Sequence, residues 1–189
     1  SLIILIKGKH MHDNRILIHK LKNFENINSN FLIITLMLFG SILLAISAKV
    51  QVPFWPVPMT MQTFVIFLIG MTYSVRLSFA TVAFYLFQGA IGLPVFAAGG
   101  GVAYLVGPTA GYLYGMLFAS IVISYLANLG FSKTYFKATV SLLIGSAIIF
   151  SFGIIYLGYI IGFEKAVAAG LLPFIPVSYT HLTLPTKAH

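Results

Sequence analysis

The chain has 189 residues, of which 59% are hydrophobic and 7% charged, and its mean hydropathy is +1.00. A soluble domain carries about 25% charged residues, so an ordinary soluble globule is excluded. The sequence has no cysteine, which excludes disulfides, thiolate metal sites and cysteine nucleophiles. The net charge of +8 sits in the N-terminal residues and singly at span ends, the pattern of a topology signal rather than a nucleic-acid face.

Asp, Glu, Lys and Arg are absent from residues 26–48, 50–75, 77–132 and 138–163. A membrane-crossing helix needs about 20 apolar residues, and charges inside the hydrocarbon are costly. The pattern predicts an all-α, polytopic membrane helical bundle.

In chain order, residues 1–30 form a basic N-terminal segment carrying Lys7, Lys9, Arg15, Lys20 and Lys22. The apolar run 2–6 is too short for a signal-peptide core, and basic residues follow it rather than precede it. Met11 is the expected start, with 1–10 read as upstream read-through. A first span covers 31–48 and ends at Lys49. The stretch "VPFWPVPMTMQTF", 52–64, follows. Pro53, Pro56 and Pro58 fix φ and bias the residues before them to extended backbone, so a stiff, hairpin-like loop is expected. A short second span runs from about 60 to 73, and Arg76 lies in a tight connection. The third span, 77–93, stops at Pro94, and an uncharged loop "PVFAAGGGVAYLVG" comes next. Pro108 suits the first turn of a fourth span, which extends to about 128. Lys133 and Lys137 precede a fifth span, 138–161. Residues 162–176 read as a short amphipathic or interfacial piece, and 177–189 are not a span.

Orientation follows from the basic residues. With a cytoplasmic N-terminus, Lys7, Lys9, Arg15, Lys20, Lys22, Arg76, Lys133 and Lys137 lie inside and Lys49 and Lys165 outside. That is eight against two, and six against two without residues 1–10, in keeping with the positive-inside rule. The proline-rich and glycine-rich loops then face outside.

No catalytic constellation can be drawn. The acids are Asp13, Glu25 and Glu164, none inside a span, and the five histidines lie in the tails. The glycine triplet 99–101 is not followed by Gly-Lys-Ser/Thr, so it is no ATP-binding loop. The chain reads as a non-enzyme without cofactor or metal. Binding candidates lie at the outer face. Trp55 serves either as an interfacial anchor or as a lid. Gln51 and Gln62 flank its loop, where neutral hydrogen-bonding ligands could be read. Gly99, Gly100 and Gly101 either let the backbone approach a ligand, with N–H groups free to hold an anion, or only fold the loop back. Ser41 and Ala45, four apart, suit close helix approach, within the chain or onto a partner. The Gly111/Gly115 pair suits internal packing.

"VPFWPVPMTMQTF", "GAIGLPVFAAGGG" and "AYLVGPTAGYLYG" together resemble, in order and spacing, the BioY family, the biotin-binding S components of energy-coupling-factor (ECF) vitamin transporters. The similarity covers about 31–176. It implies an ECF S-component bundle of six helices, about five of them present here, in a bacterial inner (plasma) membrane with both family termini cytoplasmic. It implies no ATPase in the chain itself, and partners in a transmembrane T subunit with two ATP-binding subunits, or in a homo-oligomer. The loops 51–59 and 94–106 would close an outward pocket, with Pro53, Phe54, Pro56 and Pro58 in the lid. Trp55, Phe54 and Tyr104 are candidates for the wall around the bicyclic ring, and Gln62 or Gln88 for the ureido group. Lys49, Lys165 or the Gly99–Gly101 backbone are candidates for the carboxylate. Docking onto the T subunit would map to Ser41 and Ala45. The family continues after "LPFIP" with a Gly-Asp-x-x-Lys motif opening a sixth helix. Here "VSYTHLTLPTKAH" follows, so 177–189 is expected to be a foreign tail and the chain truncated before that helix. The rival readings are an S component for another vitamin and a ligand-free membrane scaffold or assembly subunit.

Overall fold

The computed structural model describes residues 29–53 and 55–174. The expectations for the first 28 residues, for Phe54 and for the segment from 175 onward lie outside them. Helix α1 spans Ser29–Lys49. A two-stranded antiparallel ribbon follows, β1 Gln51–Val52 and β2 Met59–Thr60. Then come α2 Gln62–Thr72, α3 Val75–Ala90, a 3-10 turn Val102–Val106, α4 Ala110–Asn128, α5 Tyr135–Ile161 and the short α6 Phe163–Gly170.

Helices α1, α4 and α5 are long and apolar enough to cross a membrane, with mean hydropathies of 2.5, 1.6 and 2.3. The least apolar of the three, α4, is the most buried, at 61% against 33% and 39%. It is the central post, packing on α2, α3 and α5, while α1 turns Phe31, Ile34, Leu38, Ile42 and Ile46 outward. Glycines permit the close approach. A Cβ on Gly115 would lie 2.8 Å from the Ile149 Cα, and one on Gly111 would lie 2.5 Å from the Phe152 carbonyl oxygen. The pair therefore packs α4 on α5 within the chain, as small residues do between membrane helices.

The bend between α2 and α3 is tighter than the sequence reading had it, and Arg76 is already helical. The break leaves carbonyls without helical partners inside the bundle, where each must be satisfied. Ser124 Oγ donates to the carbonyls of Gly70 at 3.0 Å and Tyr73 at 3.1 Å. Ser74 accepts from the Leu77 N–H to cap α3. Tyr73 Oη donates to the Leu36 carbonyl at 2.9 Å, which ties the bend to α1. The third helix stops at Ala90 rather than near Pro94, because Gly92 takes φ +97° and turns the chain first.

Candidate ligand cavity beneath two interlocked loops

The proline-rich stretch forms the tip of the β1–β2 ribbon, in which Gln51 pairs with Thr60 and Val52 with Met59. The Trp55–Pro56 peptide bond is cis. Val57 is tucked inward, while Trp55 is 81% exposed. The glycine-rich loop lies against this ribbon. Gly99 and Gly101 have φ +132° and +101°, a region that strains any other residue, and Gly100 sits directly on the Leu93 carbonyl. The Gly99 N–H donates to the Phe96 carbonyl at 3.3 Å, and the Gly101 N–H to the Gly89 carbonyl at 2.7 Å. Two of the triplet's N–H groups are thus engaged, one within the loop and one with the last turn of α3.

Phe96 is fully buried and its ring fills the space over Gly89. It meets Tyr85 edge-on at 5.5 Å and stacks on Tyr104 at 4.9 Å. Around it, three successive carbonyls are each taken by a side chain from another element. Tyr85 Oη of α3 donates to Val95 at 3.0 Å. Lys49 Nζ, at the end of α1, donates to Phe96 at 2.7 Å. Gln51 Nε2 of β1 donates to Ala97 at 3.0 Å. The two outer loops are therefore fastened together through the backbone of one of them.

Beneath the fastening lies a cavity of about 40 Å³. The ribbon contributes Val57, Pro58 and Thr60, and the glycine-rich loop Ala97 and Tyr104. The openings of α2 and α4 supply Gln62, Thr63, Thr109 and Tyr112. Met116 and Ile149 close the inner end, and Phe150 and Phe174 stand beside Tyr112. A hydrogen-bond chain runs along one wall. Thr60 Oγ1 donates to Gln62 Oε1 at 3.0 Å, and Gln62 Nε2 donates to Tyr85 Oη at 2.8 Å. Gln62 is 4% exposed, so this chain holds its amide in a fixed orientation. The space takes water-sized molecules, and a larger ligand enters only if a wall moves.

Of the residues proposed from sequence, Gln62, Tyr104 and Pro58 line this cavity. The other described candidates lie elsewhere. Trp55 borders a lateral hollow with Ile160, Ile161 and Lys165. Gln88 accepts from Ser41 Oγ at 3.0 Å and borders, with Ala45, Ile42, Ile46 and Lys49, a groove between α1 and the segment after α3. Ser41 itself is fully buried. Pro53 and Pro56 shape the ribbon tip. The sequence alone does not single out Tyr85, Thr109, Tyr112, Phe150 or Phe174. The available signal for Tyr85 was its place three residues before Gln88, close to the same face of one helix. For Thr109 and Tyr112 it was their place in the opening turn of the span after Pro108.

Among the described residues no group of three or more His, Cys, Asp and Glu is placed to hold a metal. The arrangement is a polytopic membrane helix bundle whose polar and aromatic cavity lies under a two-loop cover, which defines a membrane ligand-binding protein. The chain belongs to the BioY family, whose model matches residues 20–185. It is 34% identical over 160 residues to the probable biotin transporter BioY of Rickettsia prowazekii, covering 84% of this chain and 82% of that one. It is 38% identical over 135 residues to the biotin transporter BioY of Thermotoga maritima, covering 70% and 79%. The crystal structure of the S-component for biotin from an ECF-type ABC transporter superposes with a TM-score of 0.76 at 24% identity, over 86% of this chain and 90% of that one. The two share the ECF S-component fold.

Proposed function

We propose that this chain is the membrane substrate-binding subunit of a biotin-uptake system. It captures biotin outside and releases it inside when driven by an ECF module, made of a T subunit and two ATP-binding subunits, or when assembled as a homo-oligomer. The carrying observation is the cavity itself. It combines an oriented buried amide, Gln62, with aromatic side chains of Tyr104, Tyr112 and Phe150, under the two loops that positive-inside counting places outside. A small number of oriented polar groups in an apolar wall is the usual build of a small-molecule site. The names of the relatives point to the ligand.

On this reading residues 31–176 are the ligand-binding membrane domain, with the N-terminus cytoplasmic. Gln62 addresses the ureido group, and Tyr104 packs on the bicyclic ring. Trp55, with Pro53, Phe54, Pro56 and Pro58, forms the preshaped rim that closes after entry, which lowers the ordering cost of closure. Gly99, Gly100 and Gly101 set the shape of the opposing loop. The Ala45 side of α1, flanked by Ile42 and Ile46, offers the docking face for the T subunit, and Ser41 braces it from behind through Gln88. Because the closed cavity holds only water-sized molecules, binding requires the rim or the Phe174 side to part and reclose. The subunit acts by binding and reorientation, not by catalysis.

Binding of tritiated biotin to the purified chain tests the proposal. Saturable binding displaced by unlabelled biotin, but not by a panel of other water-soluble vitamins, is expected. Absence of saturable binding, or displacement by another vitamin instead, refutes it.

A further inference from the structure

Buried hydroxyls in this bundle almost all have partners. Thr81 returns its proton to the Leu77 carbonyl, Ser120 to Leu117 and Ser141 to Ala138, each within its own helix. Ser78 and Ser124 reach neighbouring helices. Ser146 is the exception: its Oγ is the one buried side-chain N or O atom without a hydrogen-bond partner among the described residues. The residue is 7% exposed, in the middle of α5. Its hydroxyl does not take the intrahelical carbonyl that other helical serines here use. A buried hydroxyl left in that state is unfavourable, and such an exception calls for a cause.

Its position supplies one. At about 100° per residue, Ser146 falls between Ile149 and Phe150 on the helix surface, one turn further from the outer loops. Both of those residues line the cavity. Ile149 and the facing Met116 form its inner end, and the unbranched Met116 side chain can change rotamer at little cost. A shift of that floor would open the cavity towards Ser146.

We propose that Ser146 is a further ligand-binding residue, the polar end of a deeper extension of the cavity that opens when the floor of Met116 and Ile149 yields. A hydroxyl offers one donor and two acceptor positions, so it suits a neutral group carrying both N–H and C=O, such as the inner edge of the cyclic urea whose outer edge Gln62 addresses. Carboxylates are poorly matched there, because Gly145, Ile149 and Phe150 surround the position on its own helix without any cation. The inference rests on the proposed biotin function and assigns the buried end of the ligand.

The test compares equilibrium biotin binding and ligand-free melting temperature in the whole chain for the wild type, Ser146→Ala and Ser146→Thr. In Ser146→Ala, biotin affinity falls about tenfold while the ligand-free melting temperature stays level or rises, because no partner is lost in the empty state. Ser146→Thr, which keeps the hydroxyl, stays within about threefold of wild type. Affinity of Ser146→Ala within twofold of wild type overturns the assignment, as does a ligand-free melting temperature that falls in step with affinity. A wild-type chain that binds no biotin overturns the functional reading instead. In that case a lowered melting temperature in Ser146→Ala still overturns the unpartnered hydroxyl.

Discussion

Removing the fastening between the two outer loops should release ligand without unfolding the bundle. The perturbation is Lys49→Met and Gln51→Ala, singly and together. Gln51 Nε2 holds the Ala97 carbonyl at 3.0 Å and Lys49 Nζ the Phe96 carbonyl at 2.7 Å. A neutral hydrogen bond contributes ~1 kcal/mol net and one from a charged donor ~1.5 kcal/mol at the low end, appropriate to the exposed Lys49. If both act only on the closed loops, their joint loss of ~2.5 kcal/mol shifts the closed-to-open ratio by ~60-fold. The Gln51→Ala and Lys49→Met singles should raise the biotin dissociation rate about fivefold and about twelvefold. The two bonds meet adjacent carbonyls of one loop, so the double variant should fall short of the product of the singles, as coupled neighbours do. The assay is release of labelled biotin from nanodisc-embedded protein into excess unlabelled biotin, with melting temperature in parallel. Dissociation rates within twofold of wild type in all three variants, or a melting temperature that falls while release is unchanged, would refute the reasoning.

Two further outcomes follow from the same geometry. Gln62→Leu removes the acceptor for Thr60 and the donor to Tyr85, while Tyr85 keeps its bond to Val95. Biotin affinity should fall at least tenfold, with ~1–3 kcal/mol lost from stability, read by isothermal titration and by chemical denaturation in detergent. Gly115→Val would push a side chain onto the Ile149 backbone, where an added Cβ would lie 2.8 Å from its Cα. Overpacking of ~1–3 kcal/mol should lower the melting temperature without altering which vitamins compete.

The helices were legible because uncharged runs bounded by single basic residues leave few ways to thread a membrane. The observed α4 and α5 end at Asn128 and Ile161, where the sequence reading placed those ends. The short second span was visible as well, but what makes it tolerable was not. Ser124 satisfies the broken backbone at Gly70 and Tyr73 from more than fifty residues away. The site was legible only in part. Prolines and positive-φ glycines mark stiff loops, yet stiffness carries no direction, and Trp55 points away from the cavity while Val57 points in. Gln62 and Gln88 look alike as buried-span amides. Gln62 opens α2 under the loops, whereas Gln88 turns to Ser41 on α1, a choice set by which helix lies alongside. Tyr85 is not legible in the sequence because its role depends on Val95 and Gln62, which only the folded chain brings to its hydroxyl.

The three carbonyls of Val95, Phe96 and Ala97 are gripped by side chains that never consult the loop's own side chains at two of those positions. That loop is addressed by its main chain, which any residue supplies. Ala97, a cavity-lining residue, is therefore a place where the wall can be rewritten, for example with a hydroxyl, while its anchor stays in register. On the proposed reading, ligand preference would be editable at the rim separately from the fastening that holds the rim shut.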